Sequence, residues 1–104
     1  MTRQAAEVAD VTYICMAFNL SYLQAKMVKL MLGMVVVSPD VFSDRLNIRE
    51  TRIAIHRLKQ KLHRYDIPIG CQYGVGYFIP PEKRMFMQNM ISRVKQSAAY
   101  PQTV

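Results

Sequence analysis

Seven of the fourteen Lys and Arg residues of this sequence fall between positions 45 and 64: Arg45, Arg49, Arg52, Arg57, Lys59, Lys61 and Arg64. Glu50 is the one acid in that window, so seven cations less one anion leave +6 of a formal net +7. Ile48, Ile55, Leu58, Leu62 and Tyr65 recur in the same stretch at helical spacing, with Thr51 filling the gap. Steps of three and four gather apolar side chains on one stripe of a helix and leave the cations outside. A merely solvated helix face, the competing reading, mixes charge signs to gain pairs four residues apart. A face that is nearly all positive suits a polyanion, and a short helix of this kind is what the major groove of a duplex admits.

Along such a helix Arg49, Arg52, His56, Lys59 and His63 lie close to one stripe, with Ile53 and Gln60 beside it. Arg49, Arg52, Ile53 and His56 occupy the N-terminal half, the part of a recognition helix that reaches base edges. An arginine bonds guanine bidentately, and an isoleucine can meet a thymine methyl. Arg57, Lys59, Lys61 and Arg64 suit phosphates, which position a protein without specifying sequence. Lys26 and Lys29 read as solvation.

Other chemistry has less support. His56 and His63 are seven apart, not the four that places two imidazoles on one metal. Cys15 and Cys71 form no C-x-x-C and read as two lone buried thiols, with a single disulfide as the alternative. Gly70, Gly74 and Gly76 do not have dinucleotide-loop spacing, and there is no Walker loop or local Ser/His/Asp grouping. No metal, cofactor or enzymatic activity is expected.

The elements that must position the basic stripe follow from the totals and the punctuation. A chain of 104 residues, 51% hydrophobic, fits one domain with a modest core and argues against disorder. The pI near 9.7 points to nucleic acid, an anionic membrane surface or an acidic protein. The longest apolar run, residues 30–37, contains Gly33 and is far short of a bilayer span. Residues Arg3, Glu7 and Asp10 make a poor signal peptide, so a cytoplasmic, nucleoid-associated location is expected, with no membrane partner.

Residues 4–18 read as a helix from about Gln4, although Val11-Thr12-Tyr13-Ile14-Cys15 would equally suit a strand. Ser21-Tyr22-Leu23-Gln24 is a capping box opening a helix with the stripe Leu23, Met27, Leu30, Met31 and Met34. Gly33 suits its C-terminal cap, and Val35-Val36-Val37 an extended segment. Ser38-Pro39-Asp40 starts a short helix ending near Leu46. Asn47 with Glu50 forms a further N-terminal box for the basic helix, expected over residues 48–65 and stopped by Asp66-Ile67-Pro68. Two strands, Ile69 to Tyr73 and Gly76 to Ile79, flank a turn in which Gly74 takes positive φ, and Pro80-Pro81 ends the hairpin. Residues 82–96 return to helix, with Met87, Met90, Ile91 and Val94 on one face.

Helix, short helix, long basic helix and glycine hairpin follow one another as in a winged helix-turn-helix. The predicted fold class is mostly α with a small β-hairpin wing. The expected organisation is a helical extension over residues 1–19, the winged domain over 20–80, a helix over 81–97 and a flexible tail over 98–104.

Residues 20–79 resemble the OmpR/PhoB-type winged-helix output domain of bacterial response regulators. The family's helix pattern V-D-V-H-I-x-R-L-R-K-K-L is matched by Thr51-Arg52-Ile53-Ala54-Ile55-His56-Arg57-Leu58-Lys59-Gln60-Lys61-Leu62. Its wing pattern R-G-V-G-Y corresponds to Tyr73-Gly74-Val75-Gly76-Tyr77, L-T-x-x-E to Leu20-Ser21-Tyr22-Leu23-Gln24, and V-V-S to Val36-Val37-Ser38. The resemblance implies sequence-specific binding of double-stranded DNA and transcriptional regulation. Together with the helix stripe, it leads to expected DNA contacts from Arg49, Arg52, Ile53, His56, Arg57, Lys59, Gln60, Lys61, His63 and Arg64, and to a sugar-phosphate contact from Tyr73. The chain departs from the family where the opening sheet is replaced by residues 1–19, where an acid becomes Arg52, and where the wing arginine becomes Tyr73. Helix 82–96 is extra, and no receiver domain is recognisable, so a standalone bacterial or phage regulator is expected.

A small reader with one recognition helix gains affinity as a dimer on two half-sites. Met87, Met90 and Val94 are the expected homodimer surface, unless that helix covers its own core in place of the missing sheet. Two alternatives stand beside the regulator: a winged-helix module binding an acidic host protein, and a sequence-independent nucleoid binder.

Overall fold

The computed structural model describes residues 3–99, and side chains from residue 10 to residue 97. The outermost parts of the expected N-terminal extension and C-terminal tail lie outside the described residues. Five helices and one two-stranded antiparallel hairpin occur in the order α1 (Arg3–Phe18), α2 (Tyr22–Gly33), α3 (Pro39–Leu46), α4 (Thr51–His63), β1 (Gly70–Gln72), β2 (Gly76–Phe78) and α5 (Pro81–Ala99).

The segment that suited either helix or strand is helical throughout. Val11, Ile14 and Phe18 recur at helical spacing and are buried, so α1 packs into the common core with α2. Phe18 meets Tyr65 edge to face, with ring centroids 5.3 Å apart. Asn19 closes α1 at φ 54, and the Leu20 N–H donates to the Cys15 carbonyl at 3.1 Å. Asparagine here takes the left-handed position that glycine usually holds at a helix C-terminus.

The capping box of α2 forms as expected: the Gln24 N–H donates to Ser21 Oγ at 3.2 Å and the Ser21 N–H to Gln24 Oε1 at 3.0 Å. Its buried face differs from the expected stripe. Ala25, Met27, Val28 and Met31 are buried, whereas Leu23 is exposed. Gly33 is the last helical residue rather than a left-handed cap, and Met34 follows in extended geometry. The cap of α2 comes instead from Arg84 on α5. Its Nη1 donates to the Leu32 carbonyl at 3.2 Å, and Nη2 to Met34 at 2.6 Å and Val35 at 3.3 Å. Nε donates to Ile79 at 3.0 Å. One guanidinium thus joins the end of α2, the chain leading to α3 and the exit of β2, and it brings a cation to a helix end that has none of its own.

Two residues after Val35, Val37 makes a reciprocal pair of backbone bonds with Tyr77, at 2.8 and 2.9 Å. That bridge fastens the hairpin to the helices. Gly76 permits it, because a Cβ there would overlap the Val37 carbonyl. The hairpin register pairs Gly70 with Phe78, Cys71 with Tyr77 and Gln72 with Gly76.

Ser38 and Pro39 start α3 as expected, the Val41 N–H donating to Ser38 Oγ at 3.3 Å. Asn47 does not cap the next helix. It ends α3 in the left-handed region, φ 57, its N–H bonded to the Ser43 carbonyl at 2.9 Å. Ile48 is buried in the turn and Arg49 lies in it, so α4 starts at Thr51 rather than at 48. Glu50 is the residue before α4 and makes no side-chain cap. The far end of α4 is a Schellman motif. Asp66 sits at φ 59, its N–H reaches the His63 carbonyl at 3.0 Å, and the Ile67 N–H reaches Leu62 at 3.2 Å. Leu62 and Ile67 are both buried, which supplies the apolar contact of that motif.

Helix α5 begins at Pro81, the expected boundary of the C-terminal helical segment, and runs to Ala99, so residues 98–99 are helical rather than tail. Met87 is fully buried, and Met90, Ile91 and Val94 pack half-buried against the same core. The face expected to meet a second copy is therefore the face α5 turns to its own chain, and Met87 is a core residue.

Bonds to a charged donor contribute about 1.5–3 kcal/mol. Replacing Arg84 by Met, which keeps the stem, should destabilise the fold by about 2–3 kcal/mol in denaturant unfolding. Lys at this position, a single point donor, should restore less than half. An Arg84→Met protein as stable as wild type would show that the clamp contributes nothing.

Candidate nucleic-acid interface

Three buried side chains, Ile55, Leu58 and Leu62, orient α4. Each is worth about 1.5–3 kcal/mol on burial, so the inward face is strongly determined. At 100° per residue the opposite side carries two stripes. Arg52, His56, Lys59 and His63 form one, and Ile53, Arg57 and Gln60 form the other, continued by Arg64 in the turn beyond the helix. All eight are exposed. Lys61 is half-buried at the border with the core. The expected grouping along α4 therefore holds, with Arg49 as the exception: it lies in the α3–α4 turn rather than on the helix.

Among the described residues no carboxylate pairs with a cation of α4. The acid nearest in sequence at its start, Glu50, neither caps the helix nor makes an ion pair. The ion pair of Asp66 is with Lys83 on α5, at 3.6 Å, and its full exposure makes it worth little. Gln60 Nε2 lies 3.4 Å from His56 Nε2, a weak contact that joins the two stripes. The unpaired cations, the positive end of the α4 dipole and the first-turn N–H groups without a side-chain cap give an edge that is mainly electropositive, with Glu50 the one acid on it.

The hairpin turns this edge into a groove. A concavity of about 800 Å³ has Arg49, Glu50, Thr51, Arg52 and Ile53 on one wall, and the hairpin from Cys71 to Tyr77 on the other. Ile53 and Val75 are each 46% exposed, and Tyr73 at the tip is 98% exposed. Tyr77, by contrast, is half-buried and packs against the core. A smaller hollow of about 310 Å³ lies between Lys59 and His63 on α4 and residues 66–69. Arg49, Arg52, Ile53 and Tyr73 are thus brought to one concave surface, Lys59 and His63 to a neighbouring one, and Arg57, Gln60 and Arg64 remain on the open face.

The residues that sequence spacing passes over are Cys71, Gln72 and Val75, which line the groove from the hairpin side. The signal that would have found them is the shortness of the hairpin, since with three-residue strands nearly every side chain near the turn is outside. Cys71 is an exposed free thiol and Cys15 a half-buried one. No described helix is long and apolar enough to cross a membrane.

No protein-family model matches this chain, and neither a curated protein nor a solved structure matches it. The functional reading accordingly rests on the chain's own geometry and charge.

Because the exposed cations of α4 have no structural partner, removing them should leave the fold intact. The double change Arg52→Ala and Lys59→Ala should shift unfolding free energy by less than about 0.5 kcal/mol. A slight gain is the expected sign, since a cation near a helix N-terminus opposes the dipole. A loss of about 2 kcal/mol or more on thermal or urea unfolding would show that these side chains hold the fold together.

Proposed function

We propose that the chain is a sequence-specific double-stranded DNA-binding transcriptional regulator of winged helix-turn-helix type. In this reading α3 and α4 are the helix-turn-helix, α4 enters the major groove, and the hairpin is the wing. The observation that carries it is the outer face of α4, eight exposed positions of which four are cations and none an acid, with no carboxylate paired to them. The order of α2, the Val37 bridge, α3, α4 and the hairpin supports it, as does the resemblance of residues 20–79 to OmpR/PhoB-type output domains.

Arg49, Arg52 and Ile53 at the groove, with His56 one turn along, are the positions proposed to meet base edges. Arg57, Lys59, Gln60, Lys61, His63 and Arg64 hold the phosphate backbone. Two copies on neighbouring half-sites belong to the proposal, because one helix of this length spans few base pairs. With Met87 buried, a second copy would meet other surface than the inward face of α5. Action at the nucleoid, in the cytoplasm, follows from the same reading.

Selection of the full chain on a randomised duplex library at near-physiological salt tests it. An enriched direct or inverted repeat is expected. Log K should then fall with log salt at a slope of roughly −5 to −9, for about six to ten neutralised phosphates. Arg52→Ala with Lys59→Ala should abolish the enrichment. Equal binding of all sequences would make the chain a non-specific nucleoid binder instead. No duplex binding at any salt would leave the cationic face to an acidic protein.

A further inference from the structure

The hairpin side of the groove is chemically unlike the helix side. Residues 67–79 contain no charged side chain, although they form the wall opposite Arg49 and Arg52. Such a hairpin cannot neutralise phosphates, which is how a backbone-contacting surface gains affinity. What its tip presents is Tyr73, 98% exposed, with Val75 beside it at 46%. An aromatic ring fully in water gains nothing from burial in the free protein, so its surface is available to a partner.

The tip is also held. The Val75 N–H bonds the Gln72 carbonyl at 2.9 Å across the turn, and Gly74 takes φ 78, the positive value a type II turn requires at that position. Two residues beyond Val75, Tyr77 is tied to Val37 in both directions. Gly70 lies beneath the Phe78 ring, where a Cβ would overlap it. Tyr73 therefore projects from a braced turn, and fixing its ring on a partner costs the freedom of two side-chain torsions.

We propose that Tyr73 is a stacking wedge, and that the duplexes this chain prefers carry a deformable pyrimidine–purine step where the hairpin meets them. The inference rests on the DNA reading of α4 and goes beyond a sugar-phosphate contact for this residue. Steps such as TA and CA/TG unstack most easily, and apolar or aromatic side chains entering such steps kink the duplex. The ring of Tyr73 stacks on the exposed base while Val75 packs along the opened edge. Ile53 and Val75 line the same concavity, one from the helix and one from beside the tip. The contact carries no ionic component, and affinity gained there is insensitive to salt.

The test uses the full chain and duplexes recovered by the selection, with 2-aminopurine placed at successive steps. Wild type should raise the fluorescence at one pyrimidine–purine step displaced from the α4 contacts. Tyr73→Ala should lose that rise and weaken binding about tenfold or more, the scale of one lost base–aromatic stack. Tyr73→Phe should retain both, and neither variant should change the salt slope. Two results overturn the wedge while leaving the DNA reading in place. One is Tyr73→Ala with wild-type affinity and fluorescence; the other is Tyr73→Phe as weak as Tyr73→Ala, which would assign the effect to the hydroxyl. If wild type binds no duplex, the DNA reading fails and the wedge with it, and the uncharged tip becomes a surface for protein.

Discussion

The Arg84 guanidinium is the point on which the relative placement of the elements depends. It bonds carbonyls of Leu32 at the end of α2, of Met34 and Val35 on the way to the Val37 bridge, and of Ile79 at the exit of β2. Those are the three pieces of backbone that must be fixed before a hairpin can stand beside α4. Each carries carbonyls that the regular elements leave unsatisfied, and a planar fork of donors satisfies several at once. The Val37–Tyr77 bridge follows within two residues, and Gly76 permits its close approach. The groove between α4 and the hairpin is a consequence of this joint, although Arg84 does not line it.

Stability and the cationic surface are separated along α4. The helix is held by Ile55, Leu58 and Leu62 on its inner side and by the Schellman motif at its end. Its start has no side-chain cap and no acid in the first turn. A cap and a first-turn carboxylate would each have stabilised the helix by about 0.5–1 kcal/mol. The α4 terminus therefore forgoes local stabilisation, and burial of the inner face makes up the difference.

The parts of this arrangement that were legible in the sequence are those set by side-chain chemistry within a few residues. The Ser21–Gln24 box, the Ser38-Pro39 start, the positive φ of Gly74 and the inward stripe of α4 all belong to that class. The ends of α1, α3 and α4 were legible to within two residues, but not the device that closes them, because Asn19, Asn47 and Asp66 take the left-handed position otherwise associated with glycine. Asn47 is ambiguous by chemistry, since an asparagine both caps helix starts and tolerates positive φ. Its side chain before an apolar run suggested a start, while the burial of Ile48 in the turn made it an end. The Arg84 clamp was not legible, because its partners lie some fifty positions away and are backbone atoms, which leave no trace in residue type. The inward face of α5 was legible as apolar but not as to what it covers, and the structure turns it onto the core through Met87. The basic set of the candidate site was found from charge spacing. Of the hairpin wall Tyr73 was named, but Cys71, Gln72 and Val75 were not, because an uncharged surface carries no electrostatic signature.

The central claim is that the outer face of α4 and the uncharged hairpin act as one surface on a duplex. Titrating the ¹⁵N-labelled chain with a mixed-sequence duplex and following each amide resonance tests it most directly. The account predicts shifts confined to residues 49–64 and 71–76, with α1 and the second half of α5 unmoved. Shifts centred on α1 or α5, or none at any duplex concentration, would contradict it.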